Sequence, residues 1–322
     1  MALDLRGMSF LVAGGCGFVG TNVTRRLLEL QAERVVVLDD FFTGERRFLP
    51  QDPRIELLEG SVSDPAVLER AMEGVDYVLN LAAVNIIAAQ KRPELDLEVN
   101  ALGSLRVLQA AAKKPRIKKV LYASSASIYG NPEYLPIGED VRARPMSNYA
   151  VSKLAGENYA MVQYLIADQP TCVVRYSNVY GPYQAPSNPY CGVVGKFMRS
   201  VLREGVVAIH GTGQQTRDFT FVDDAVEATI MAVVSPKAEG CVFNVATGHE
   251  ITIIDLARKI FELAGKEARF ELVDKRDIDN ISRRCLNIEH VRTRLKWEPR
   301  HTLDSGMAKT LAWFRTSPYA AS

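Results

Sequence analysis

The chain lacks an excess of charge of either sign: 39 Lys and Arg face 38 Asp and Glu, a formal net charge of +1 over 322 residues. A dedicated binder of nucleic acid or of an anionic membrane surface would normally be basic, so both classes fall away. Long apolar runs are missing as well; none approaches the roughly 20 residues of a bilayer-spanning helix. Residues 1–12 hold no basic, then apolar, then small-residue export pattern, so the expected location is the cytoplasm. Cysteine is sparse, odd in number and scattered, at Cys16, Cys172, Cys191, Cys241 and Cys285, with no CxxC spacing. These residues are expected to be reduced thiols, forming neither a disulfide frame nor a metal site. There is no short-period repeat or low-complexity tract, and residues 317–322 read as a frayed tail. What remains is an ordinary globular composition, 47% hydrophobic and 24% charged, long enough for one large or two moderate domains.

What is present alternates. MSFLVAGG, ERVVVLDD, RIELLEG, VDYVLNLAA, KKVLYASS and TCVVRYSN are short apolar, mostly β-branched runs that end in glycine or polar residues. Helix-period stretches such as TNVTRRLLELQ and LEVNALGSLRVLQAAAKK lie between most of them. This predicts an α/β fold, a parallel sheet with helices on both faces and functional groups gathered beyond the carboxyl ends of the strands. After Asn178 the rhythm changes, and YGPYQAPSNPYCG suggests a long loop opening a second, smaller lobe. RDFTFVDDAVEATIMAV and CVFNVAT look like a return to the sheet domain. The division expected is 1–177 plus about 218–247 for the sheet domain, and about 178–217 plus 248–316 for the lobe.

The first strand runs into Gly14-Gly15-Cys16-Gly17-Phe18-Val19-Gly20, followed by a helix starting near Thr21. Glycine lets such a turn approach a pyrophosphate closely, and the helix N-terminus adds amide donors and a favourable dipole. The second strand ends in Asp39-Asp40, at the spacing expected of a ribose-binding carboxylate. A carboxylate accepts both ribose hydroxyls and repels a 2′-phosphate, which favours NAD over NADP. The competing reading is a glycine turn that only packs helix against strand. Arg46 and Arg47 lie too far past the strand end to serve as phosphate ligands and read as a solvated loop.

The strand KKVLYASS brings Ser124 and Ser125 to its carboxyl end, and SNYAVSK follows about twenty residues later. If Ser147 or Asn148 caps a helix, Tyr149 sits in its first turn and Lys153 one turn on, on the same face. An ordinary phenol ionises near 10, roughly three units too high for a base at neutral pH. A fixed ammonium beside it stabilises the phenolate, and a nicotinamide cation would add to that. The bland alternative is a solvated i,i+4 pair.

GGCGFVG, LDDFFTG, LNLAA, EVNALGS, YASSASIYG, YAVSK, VRYSNVYGP, IHGTGQQTRDFTFVDDA and LKWEPRHTLDSGMAKTLAWF together resemble the extended short-chain dehydrogenase/reductases, specifically the nucleotide-sugar epimerase/dehydratase group. The resemblance runs nearly the full length. It implies a Rossmann-type doubly wound parallel sheet with a smaller C-terminal substrate-binding lobe. It also implies a catalytic trio of Ser125, Tyr149 and Lys153, with Lys153 holding the nicotinamide ribose as well. Around NAD it implies Gly14, Gly17, Phe18, Val19, Gly20, Asp39, Asp40, Ser61, Val62, Leu81, Ala82, Ala83, Asn100, Tyr149 and Lys153. On the substrate side it implies Ser125, Ser127, Asn178, Val193, His210 and Arg217, with a second diphosphate arginine at Arg276 or Arg283. Relatives commonly dimerise through helices corresponding to residues near 94–113 and 148–166. Leu102, Leu105, Met161 and Leu165 fit such a homodimer surface and fit a monomer core equally well.

Related 4,6-dehydratases carry Asp-Glu just after the catalytic Ser/Thr; here those positions are Ala126 and Ser127. The related decarboxylases would carry Glu where Ser127 stands. Without a second acid/base pair, the simplest chemistry left is oxidation at sugar C4 followed by return of the hydride to the opposite face: 4-epimerisation of a UDP- or thymidine-linked sugar. Ala185 stands where UDP-glucuronate 4-epimerases often place a carboxylate-clamping arginine, which argues for a neutral hexose. Arg283 and Arg284 pull the other way, since Arg284 could meet a carboxylate, although both could form a solvated pair. Arg217 could equally be a structural partner of Asp218 or Asp223. Departures from the family pattern include Ser61 in place of an adenine-binding Asp, Asn80 in place of a His, and Gly192 in place of an Asn. A UDP-glucuronate epimerase or decarboxylase is the runner-up. A catalytically silent NAD-binding sensor is the reading from a different class.

Overall fold

The computed structural model describes residues 3–185, 192–275, 277, 280–317 and 319. All six apolar runs become strands: β1 (Ser9–Ala13), β2 (Arg34–Asp39), β3 (Ile55–Glu59), β4 (Tyr77–Asn80), β5 (Lys119–Ser125) and β6 (Thr171–Tyr176). After β6 the chain leaves this sheet for β7 (Asn178–Tyr180), β8 (Val207–His210) and β9 (Thr216–Phe221). It returns through β10 (Val242–Val245), and ends its strands with β11 (Glu250–Thr252) and β12 (Phe270–Val273). The large sheet is parallel throughout, in the order β10-β6-β5-β4-β1-β2-β3. Its order reverses between β1 and β4, the point at which doubly wound sheets bind ligands.

Alternation along β1 shows how the two faces are filled: Phe10 and Val12 join one buried cluster, Leu11 and Ala13 another. The first cluster takes in α1 (Phe18–Glu29). The second takes in α2 (Pro65–Ala71), and continues past α3 (Ile86–Lys91) and α4 (Pro93–Asp96) to α5 (Ser104–Ala112) and α6 (Asn148–Ala167). In the lobe, α7 (Val193–Arg203) precedes α8 (Val222–Val234), which goes back to the large sheet and packs with α1. The lobe's own core gathers apolar residues of α7, α9 (Ile253–Ala264), β8, β9 and the final helix. α10 (Glu289–Leu295) and α11 (Leu303–Thr316) close the chain.

Three expectations change. RDFTFV does not itself rejoin the large sheet: β9 pairs with β7 and β11, because the outer edge of β6 is taken by β10. Asp218 anchors β9 there, accepting from the backbone amides of Thr247 (2.9 Å), Gly248 (3.0 Å) and Leu286 (3.3 Å). The helix read from LEVNALGSLRVLQAAAKK begins as a π-helix over Leu97–Gly103 and only then becomes α5. Asn100 sits inside that wider turn, with its amide bonded to the backbone of Val84 in both directions, at 2.8 and 2.9 Å. Of the residues read as a frayed tail, Ser317 and Tyr319 are buried, and the others lie outside the described residues. The hydroxyl of Tyr319 takes a bond from Arg47 (2.7 Å) and gives one to Glu45 (2.5 Å).

α6 lies tightly on β5 and the π-helix because residue 156 is glycine. A Cβ there would stand 2.4 Å from the Tyr122 hydroxyl and 3.0 Å from the Asn100 carbonyl oxygen. The Tyr122 ring is fully buried and cannot yield. Gly156→Ala is therefore expected to cost about 1–3 kcal/mol in denaturant melts. The loss should shrink in a Tyr122→Phe background; an unchanged midpoint would contradict this packing.

Candidate active site

A cleft of about 610 Å³, partly open to solvent, lies at the carboxyl ends of β1, β2 and β4. Of the residues expected around a dinucleotide, it brings together Gly14, Gly17, Asp39, Asp40, Ser61, Val62, Leu81, Ala82 and Ala83. Sequence reading passed over Leu38, Phe42, Thr43, Gly60, Val84, Leu95 and Val99, which also line it. They are apolar or small residues; Leu38, Phe42 and Thr43 fall within LDDFFTG and Val99 within EVNALGS, where the polar neighbours drew the reading instead.

The glycines divide by task. Gly14 has φ +77°, and a Cβ would meet the Ala82 nitrogen at 2.7 Å. At Gly20 a Cβ would lie 2.1 Å from the Gly14 carbonyl oxygen. These two serve the turn itself. Gly17 has only that same oxygen near, at 3.2 Å, and it lines the cleft. It is also the N-cap of α1, with no side chain capping the helix, so Phe18, Val19 and Gly20 form a first turn whose amides meet no side-chain acceptor. The two aspartates divide as well. Asp39 is buried and accepts from the amides of Cys16 and Phe41, each at 2.8 Å, tying β2 to the glycine turn. Burial pushes its carboxyl above the usual range, against those amide bonds. Asp40 stays exposed at the mouth and accepts from the Phe42 amide at 3.0 Å.

Ser147 is the residue that caps α6, its hydroxyl accepting from the Ala150 amide at 3.2 Å. Tyr149 then falls in the first turn and Lys153 one turn later. The pair is not solvated: Lys153 is 2% exposed, and its ammonium sits 4.7 Å from the centre of the Tyr122 ring. Tyr122 also donates to the Lys153 carbonyl oxygen at 3.2 Å, which fixes this turn over β5. Burial lowers the Lys153 ammonium to about 8, with the charges of Asp96 and Glu157 acting the other way. Among the described residues Lys153 Nζ donates to no protein oxygen. Asn100 holds the next layer, donating to Asp96 (2.6 Å) and Ser152 (3.2 Å) as well as to Val84. Ser125 ends β5, and its hydroxyl meets that of Ser127 at 3.2 Å and the Ser127 amide at 3.1 Å. Ala126 between them is buried.

Substrate-side expectations are met unevenly. Arg217 is buried on β9 and donates to the carbonyls of Thr216 and Ile281, each at 2.8 Å. Asn178 is half-buried on β7, Val193 is half-buried at the start of α7, and the His210 ring is held by the Asp274 carbonyl at 2.9 Å. Arg283 and Arg284 do not form a solvated pair. Arg283 lies outward on Glu250, whereas Arg284 is 3% exposed. Arg276 lies outside the described residues. Ala185 packs into a cluster with Phe48 and Tyr319, so a residue there has aromatic rings as neighbours. The sequence-level inference of a neutral sugar from that position loses its geometric basis. Among the described residues no group of His, Cys, Asp and Glu side chains could hold a metal, and no helix is long and apolar enough to cross a membrane.

A sequence profile described as the NAD dependent epimerase/dehydratase family matches residues 10–246. The chain is 33% identical to a UDP-glucose 4-epimerase of Mycolicibacterium smegmatis, covering 96% of this chain and 99% of that one. It is 30% identical to a UDP-N-acetyl-alpha-D-glucosaminuronate decarboxylase of Bacillus cytotoxicus, covering 95% and 97%. The structure superposes on the NAD complex of the Thermus thermophilus UDP-glucose 4-epimerase with a TM-score of 0.87, at 31% identity, covering 96% of this chain and all of that one.

The division among the glycines has a measurable consequence. Gly20→Ala should lower stability by about 1–3 kcal/mol, because the turn cannot close. Gly17→Ala should leave stability within about 1 kcal/mol of the parent while weakening dinucleotide binding at least tenfold, since its Cβ enters the space the ligand needs. Calorimetric titration beside thermal melts reads both, and equal effects at the two positions would contradict the division.

Proposed function

The chain belongs to the NAD dependent epimerase/dehydratase family, and from that premise we propose that it is an NAD-dependent nucleotide-sugar 4-epimerase acting on a UDP-hexose. The observation that carries this reading is the turn after β5, where Ser125 is followed by the buried Ala126 and by Ser127, with no carboxylate beside it to eliminate water or assist decarboxylation.

The residues present fit the cofactor. An uncapped helix N-terminus after a glycine turn suits a pyrophosphate. Asp40 at the mouth, with Asp39 behind it, suits ribose hydroxyls and opposes a 2′-phosphate. Lys153 keeps donors for the second ribose. When bound, NAD supplies the acceptor and then the donor of the C4 hydride. Tyr149 removes the proton from the C4 oxygen and later returns it. Ser125 holds that oxygen, and Lys153 stabilises the phenolate. Asn178, Arg217 and the arginines near residue 284 are assigned to the diphosphate and sugar.

In this reading residues 1–177 with about 218–247 carry the cofactor, and about 178–217 with 248–316 receive the nucleotide sugar. The enzyme works in the cytoplasm as a homodimer. The supporting surface runs along the π-helix and α6, where Leu97, Leu102, Val151, Val162, Leu165 and Ile166 are exposed; Met161 instead packs partly into the core. A second reading, a UDP-glucuronate epimerase or decarboxylase, is favoured by the burial of Arg284 on the segment that Arg217 touches.

Incubating the protein with UDP-glucose, UDP-N-acetylglucosamine and UDP-glucuronate, with products resolved by NMR, separates these readings. The expected product is a C4 epimer of a neutral sugar; carbon dioxide or a stable 4-ketone would reject it. Tyr149→Phe should cut turnover by about 10²–10⁴-fold.

A further inference from the structure

Beneath the catalytic turn lies a polar cluster that the mechanism above does not use. Asp96, at the end of α4, is 2% exposed. One of its oxygens accepts from the Ser152 hydroxyl at 2.8 Å and from the Asn100 side-chain amide at 2.6 Å. The Ser152 hydroxyl also lies 3.0 Å from the Tyr149 carbonyl oxygen. One carboxylate thus touches, through single hydrogen bonds, the residue before Lys153 and the asparagine of the π-helix, and Ser152 in turn reaches the backbone of Tyr149. Among the described residues, Asp96 makes no ion pair. A buried carboxylate with no cation against it is expensive unless a charge nearby compensates.

The charges around this cluster narrow the choice. Lys153 faces the ring of Tyr122, with the charges of Asp96 and of Glu157, one turn along α6, acting on it. Glu157 is already committed: the guanidinium of Arg175 grips it at 3.2, 3.1 and 2.5 Å, and Arg175 also bonds the Tyr129 hydroxyl at 2.6 Å. Lys91, Arg92, Glu94 and Glu98, the other charged side chains flanking Asp96, are exposed. That leaves Asp96 as the buried carboxylate near Lys153 whose charge no arginine neutralises.

Resting on the reading of Tyr149 and Lys153 given above, we propose that Asp96 is a positioning residue: it supplies the counter-charge of Lys153 and, through Ser152 and Asn100, holds the Tyr149–Lys153 turn in place. It acts without touching substrate or cofactor. Burial raises the Asp96 carboxyl above its ordinary range, and the Ser152 and Asn100 bonds and the Lys153 charge work against that rise.

The direction of the effect follows. Lys153 works as an ammonium, so activity falls at high pH as it deprotonates. Removing the negative charge of Asp96 makes deprotonation easier, and the alkaline limb moves to lower pH. In Asp96→Asn, which keeps an acceptor for Ser152, the limb of kcat measured on UDP-glucose should move down by roughly half to one pH unit. A superimposable limb, at whatever overall rate, overturns the proposal, because a merely structural role lowers the rate without moving the limb. Should Asp96→Asn fail to fold, carbon-13 NMR of aspartate carboxyls in the parent protein decides. Asp96 is expected to be ionised at neutral pH, and a neutral carboxylic acid there overturns the proposal. A parent protein that turns over none of the three UDP-sugars would remove the epimerase reading while leaving the NMR result to stand by itself.

Discussion

The structure depends on one constraint: an ammonium is kept inside the protein, against the ring of a tyrosine in the middle of β5. Lys153 is buried by α6, β5 and the π-helix, and burial lowers it from an ordinary 10.5 to about 8. The sign for stability is unfavourable to the charge. Between about 8 and 10.5 the unfolded chain holds a proton that the folded chain has released, so folding strengthens as pH rises through that window. The protein thus gives up stability at neutral pH to keep a cation buried, a trade common at active sites.

The surrounding packing keeps that cation in place. Gly156 lets α6 approach β5, and Tyr122 both faces the ammonium and bonds the Lys153 backbone. Glu157 and Arg175 form a closed ion pair that reaches Tyr129, whose hydroxyl continues to Asn244 at 2.7 Å on β10. Side chains from α6, β6, the turn after β5 and β10 therefore meet in one network under the site. The glycine turn after β1 and the β2 aspartates line the cleft at the carboxyl ends of the same sheet, next to the point where its strand order reverses.

How much of this was legible in the sequence divides along local and non-local lines. The strands of the parallel sheet, the glycine turn and a helix cap at Ser147 or Asn148, which the structure assigns to Ser147, are set by a few neighbouring residues and are readable from spacing and residue type. The π-helix is not, because Asn100 inserts into that turn to reach Val84, sixteen residues earlier in the chain. Asp96 was missed although it stands four residues before Asn100, since an aspartate in a charged helix reads as solvated until its burial is seen. Asp39 and Asp40 looked like one feature, yet one is tied to Cys16 and the other faces solvent. Arg283 and Arg284 looked like a pair, yet one lies outward on Glu250 and the other is buried. Ala185 invited a substrate argument that its aromatic neighbours do not sustain.

The central claim is that buried positive charge lets one phenol act as a base. Ultraviolet difference titration of the NAD-loaded protein against Tyr149→Phe tests it most directly. The background is favourable, because burial pushes the phenols of Tyr122, Tyr129, Tyr176 and Tyr180 upward, Tyr129 to about 12. The account predicts one phenolate in the parent that forms below the ordinary tyrosine range and is missing from the variant. Identical titrations of the two proteins would contradict it.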